Sequence, residues 1–88
     1  MTIVELLREL PTATTVRMNG LTIRDWKQTD CGNLIRFSVD TPDQSDVTIA
    51  YVPNDAKVKW LCDNYWIVED NKRRWRQLSF WRMSPVIV

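Results

Sequence analysis

Val16-Arg17-Met18-Asn19-Gly20-Leu21-Thr22-Ile23 is the stretch on which the reading of this chain turns. Asn-Gly is the preferred pair for a two-residue type I′ turn, because both central positions need positive φ. A turn of that length fixes the register, setting Met18 opposite Leu21, Arg17 opposite Thr22 and Val16 opposite Ile23. The four apolar residues then share one face and the polar ones the other, so pattern and turn agree. A hairpin with one apolar face needs a second layer to cover it.

The residues upstream offer one. Thr2-x-x-Glu5 has the spacing of a capping box, and Ile3, Leu6, Leu7 and Leu10 follow at helical spacing. Pro11 ends that helix, since it cannot continue the ladder and biases Leu10 away from helical angles. Downstream, residues 28–33 form a loop. Leu34–Val39 then alternates with Ile35, Phe37 and Val39 on one side, and residues 47–52 alternate with Val47, Ile49 and Tyr51 together. Residues 40–46 between them are rich in Pro and Asp, the composition of a loop. Four antiparallel strands with the first helix across one face satisfy both apolar patterns.

After Pro53 the same residues support two readings. Asn54 or Asp55 can cap a helix carrying Val58, Leu61, Cys62 and Tyr65 at i, i+3, i+4 and i+7, and a second short helix is expected there. A strand with Val58, Trp60 and Cys62 on one side is the alternative. Tyr65–Glu69 reads as a strand, Asp70-Asn71-Lys72 as a turn, and residues 73–83 as a long returning strand, with a helix from Asp70 as the alternative. Beyond Pro85, Val86-Ile87-Val88 is expected to add an edge strand or pack on the core. The fold class expected is α+β: one domain over residues 1–88, an antiparallel meander with an Asn-Gly hairpin packed against one or two short helices.

Composition narrows the chemistry. The 88 residues hold no histidine, which removes the commonest general base and zinc ligand and leaves no Ser-His or Cys-His arrangement. Two glycines are too few for a phosphate-binding loop or a dinucleotide fingerprint. Cys31 and Cys62 fit no metal spacing and read as two reduced thiols. Asp40, Asp43 and Asp46 share a loop but lack the remaining ligands of a calcium site, so they read as an acidic turn. Glu69-Asp70 reads as a structural element of its turn, opposite Lys72 and Arg73. No run approaches the ~20 apolar residues of a membrane span. No catalytic residue, metal or cofactor is expected, and a cytoplasmic binding protein is expected rather than an enzyme.

Charge is unevenly placed. Net charge is +1, yet residues 72–88 hold five basic residues and no acidic one. In residues 72–82, Lys72, Arg73, Arg74, Arg76 and Arg82 surround Trp75, Phe80 and Trp81. Guanidinium and indole together serve two kinds of surface. They anchor protein interfaces, where Trp and Arg are enriched, and they bind single-stranded nucleic acid by neutralising phosphates and stacking bases. The expected partner-binding residues are Lys72, Arg73, Arg74, Trp75, Arg76, Trp81 and Arg82. Five tryptophans are more indole than a core this small readily encloses, so one or two are expected at the surface. The expected partner is a host protein or nucleoprotein. Nucleic acid is the alternative, and a homodimer buried through the same aromatics is a third reading. Changing Arg73, Arg74 and Arg76 together to Ala is expected to abolish capture and leave the fold intact.

The layout of Glu5-Leu6-Leu7-Arg8-Glu9-Leu10, then the hairpin from Val16 to Ile23 and a meander, resembles small accessory proteins of bacteriophages and mobile elements, the compact anti-CRISPR inhibitors among them. That resemblance covers the first half of the chain and implies a non-enzymatic inhibitor or adaptor. The DNA-mimicking members of that group look strongly acidic. This chain departs from them, being near neutral with a basic end, and its acidic residues 40–46 are the part that could engage a basic partner.

Overall fold

The computed structural model describes residues 1–82. They form one helix, α1 (Ile3–Glu9), and eight strands: β1 (Thr14–Met18), β2 (Leu21–Thr22), β3 (Asp25–Gln28), β4 (Leu34–Val39), β5 (Val47–Pro53), β6 (Val58–Cys62), β7 (Tyr65–Glu69) and β8 (Trp75–Arg82). Five of these make one sheet in the order β2-β1-β8-β7-β6, and three make a second in the order β3-β4-β5. Every strand pair is antiparallel. The domain is thus mostly antiparallel sheet with one short helix. None of the helices described is long and apolar enough to cross a membrane.

The helix forms as its sequence requires. The Thr2 hydroxyl accepts the Glu5 N–H at 3.3 Å, and the ladder stops at Leu10, one residue before Pro11. Ile3 and Leu6 are buried, and Val4, Leu7 and Leu10 lean on the same core. Asn19 and Gly20 hold φ of 50° and 81°, and the hairpin pairs Arg17 with Thr22 and Met18 with Leu21, the expected register. Leu21 departs from the expected burial and is exposed, because β2 is a two-residue edge strand.

That short edge strand explains the main correction to the single four-stranded meander. Ile23 still donates its N–H to the Val16 carbonyl, but the next N–H, of Arg24, goes to Ser38. The chain therefore crosses from one sheet to the other between Ile23 and Arg24, and β3, β4 and β5 form their own sheet. The apolar sides of both sheets meet in one core containing Val16, Met18, Val68, Leu78 and Phe80 from the first and Ile35, Phe37, Val39, Ala50 and Val52 from the second.

Two further corrections have local causes. A register shift in the β4–β5 pairing sets Ser38 opposite Thr48 and Phe37 opposite Ala50, leaving Ile49 as the extra residue. One extra residue reverses the alternation, so Ala50 and Val52 are buried while Tyr51 is exposed. The second helix expected after Pro53 is absent; its residues form β6, paired with β7 across a turn at Asp63 and Asn64. The register alone would have favoured the strand: Lys57 and Lys59 alternate with Val58 and Trp60, and Asp-Asn tolerates the positive φ that Asp63 adopts at 43°. The expectations for Val86-Ile87-Val88 lie outside the described residues.

Candidate functional site

In β8 the buried residues Leu78 and Phe80 point to the core, so Trp75, Gln77, Ser79 and Trp81 lie on the other side, the outer face of the five-stranded sheet. Strand register extends that face sideways. Trp81 lies opposite Thr15, Ser79 lies between Arg17 and Tyr65, Gln77 lies beside Ile67 and Ile67 beside Lys59, and Trp75 lies opposite Glu69. No described element packs its core residues on this side. Trp75 and Trp81 are 56% and 44% exposed, figures that matter because folding gains little from leaving indole in water. They stand six positions apart along the strand, about 20 Å.

The aromatic groups of this face are held in place. Tyr65 meets Trp81 edge-on with ring centroids 6.2 Å apart, and the Lys59 ammonium lies over the Trp75 ring, 5.7 Å from its centroid. Ser79, the smallest outward residue and itself buried, floors a shallow cleft walled by Arg17, Gly20, Tyr65, Gln77 and Trp81. A third tryptophan, Trp60, is 60% exposed on the edge strand, its indole N–H donating to the Asp63 carbonyl at 3.0 Å. Register puts Trp60 opposite Trp66, which leans on the core, and so on the inner side of the sheet beyond the cover of the second one.

The expected cationic cluster is divided by the fold. Asp70, buried at the β7–β8 turn, accepts the N–H groups of Lys72 and Arg74 at 2.8 and 2.9 Å. Its other oxygen takes Arg76 Nε at 3.0 Å and lies 3.4 Å from Arg74 Nε. Burial opposes ionisation of this carboxyl. The two backbone N–H groups and the Arg76 guanidinium outweigh that, and hold its pKa below the usual carboxylate range. Arg76 therefore braces a turn from the inner side of β8, and Arg74 is shared with the same carboxylate. Lys72 and Arg73 are exposed at the tip, Arg73 with φ of 61°. Arg82 closes β8 opposite Thr14, and its side chain lies outside what the structure describes. Changing Arg73, Arg74 and Arg76 together to Ala would thus also remove both side-chain cations that face the buried Asp70.

The acidic loop is likewise engaged within the molecule. Arg24 Nε lies 3.1 Å from Asp40, and Arg36 lies 2.9 Å from Asp46, whose pKa the Arg36 hydrogen bond draws down. Cys31 and Cys62 are free and exposed. Sequence reading missed Arg17, Lys59, Tyr65, Ile67, Gln77 and Ser79, which join Trp75 and Trp81 only through strand pairing. Placing β6 as a strand ending at the Asp63-Asn64 turn would have found Lys59 and Tyr65.

The chain matches no known protein family, no curated protein and no solved structure.

Proposed function

We propose that this domain is a non-enzymatic protein-binding module, working through the outer face of its five-stranded sheet. The observation that carries this reading is the pair of exposed, positioned indoles of Trp75 and Trp81 on one face, with Ile67 and Tyr65 on the neighbouring strand between them. Aromatic side chains interleaved with neutral polar groups are a composition that protein interfaces favour, and rigid aromatics lose little entropy when covered. Single-stranded nucleic acid would want cations tracking the aromatic strip. Here the outward residues between the indoles on β8 are the neutral Gln77 and Ser79, and Arg76 is occupied by Asp70. An inhibitor or adaptor of the phage accessory kind, acting by occluding a host protein, is the role we propose for such a face; it needs surface and no catalytic group.

The test is capture from a cell lysate by the tagged protein, compared with Trp75→Ser/Trp81→Ser. Both positions are exposed, so the double variant should keep its unfolding midpoint. Loss of the captured protein with the fold intact is the expected result. Equal capture by the two proteins removes the outer face from consideration.

A further inference from the structure

The cleft over Ser79 has walls of one chemical kind. Arg17, Gln77, Ser79 and Tyr65 all present hydrogen-bond donors there, and among the described residues no carboxylate lines it. Arg17 is exposed and forms no ion pair with any described residue, and the polar ends of Gln77, Ser79 and Tyr65 find no side-chain partner among them. Of the other arginines whose side chains are described, Arg24, Arg36, Arg74 and Arg76 have carboxylate partners, while Arg8 and Arg73 have none among the described residues and lie outside the cleft. Arg17 is thus a cation placed beside an apolar strip with its counter-ion missing.

The charge of the whole sheet has the same sign. Residues 14–22 and 57–82, which build the five-stranded sheet and its turns, carry eight basic residues and three acidic ones. Residues 24–55, which build the second sheet, carry three basic and six acidic. Of the three acids on the first sheet's side, Asp70 is buried against its arginines. The outer face therefore has a rim in which cations outnumber acids: Arg17 on β1, Lys59 on β6, and Lys72 and Arg73 at the tip, against Glu69 beside Trp75 at the far end from the cleft. A second copy of the same face would meet like charge.

We infer that the protein partner seats an acidic side chain, Asp or Glu, in the cleft over Ser79 with Arg17 as its counter-ion, beside an apolar residue resting on Tyr65 and Trp81. The inference rests on the outer-face reading above and adds the chemistry of what binds there. A carboxylate fits better than a nucleic-acid phosphate because the cleft holds one cation and the neighbouring outward positions on β8 are neutral. The remaining rim cations steer an acidic surface toward the face before contact.

The probes are three short peptides with the same central Leu-Phe-Leu, flanked by Glu, by Gln or by Lys, together with oligothymidylate. The readout is the indole N–H resonance of Trp81 in the ¹⁵N-labelled protein at low salt. The Glu peptide should bind about threefold more tightly than the Gln peptide, the factor one exposed ion pair supplies. Arg17→Gln should erase that advantage, leaving the Glu and Gln peptides equal in affinity. Equal affinity for the Glu and Gln peptides, or an advantage that survives Arg17→Gln, overturns the carboxylate assignment and leaves the outer-face reading standing on its own capture test. Preference for the Lys peptide overturns it too, as does a Trp81 shift with oligothymidylate alone, which reassigns the cleft to phosphate. If no probe moves Trp81, the assignment also falls.

Discussion

Asp70, which the sequence marks as a structural element of its turn, becomes the hub of that turn in the fold. Among arginines and tryptophans it reads as the last acid before a basic run. Folded, it collects two backbone N–H groups and the Arg76 guanidinium in a site almost closed to water. Asp70→Asn keeps the shape but removes the charge those donors face, and should lower stability by about 3 kcal/mol in urea unfolding at neutral pH. The pH response follows from the direction of the shift. The folded carboxyl titrates below its unfolded value of about 3.9, so its contribution is whole above that value and is lost as pH falls through the folded pKa. The gap in unfolding midpoint between wild type and Asp70→Asn should therefore narrow below about pH 4. A gap that stays constant on acidification would contradict the assignment. The Asp70-Asn71-Lys72 turn itself was legible, because turns are written in local chemistry. Which guanidinium it recruits was not, because that depends on the direction β8 takes afterwards.

At the level of elements, local signals were reliable where they acted alone. The Thr2 cap, the Pro11 stop and the Asn19-Gly20 turn each rest on a few adjacent residues, and each stands in the structure as read. Thr2→Ala removes the acceptor for the Glu5 N–H and should cost about 1 kcal/mol, measurable by thermal unfolding. Gly20→Ala tests the turn. No atom lies within 4 Å of the added carbon, so the cost is that of the left-handed backbone alone, about 1 kcal/mol. A much larger loss would mean a steric conflict that the geometry lacks. Elements failed to be legible where two periodicities overlapped. Val58, Leu61, Cys62 and Tyr65 suit a helix, and Val58, Trp60 and Cys62 suit a strand. Pairing with β7 decided the matter, and pairing is a property of two segments. The bulge at Ile49 is a similar case, since it inverts a strand's faces without any glycine or proline to mark it.

Taken whole, the molecule separates its indoles into two populations. Trp26 and Trp66 lean on the core, while Trp60, Trp75 and Trp81 stand in solvent. An aqueous quencher such as iodide should reach three of the five, and Trp75→Ser/Trp81→Ser should leave mainly protected emission plus Trp60. Quenching of all five alike would argue against the packing described. The surplus of indole was evident from composition, and two of the three exposed ones lie in the basic segment singled out by sequence. The rest of the outer face was hidden, because Arg17 and Tyr65 are distant in sequence and become neighbours only when β8 lies between β1 and β7. That arrangement also governs how the molecule is made. The centre of the larger sheet joins a strand that starts at Thr14 to one that ends at Arg82, so nearly the full described length must be available before the middle of that sheet can close. Assembly should accordingly be slow for so small a domain, with the first hairpin waiting, its Val16 and Met18 side uncovered, for the last strand to arrive. A chain cut short before Trp75 would keep that hairpin exposed and prone to recruit strands from other molecules.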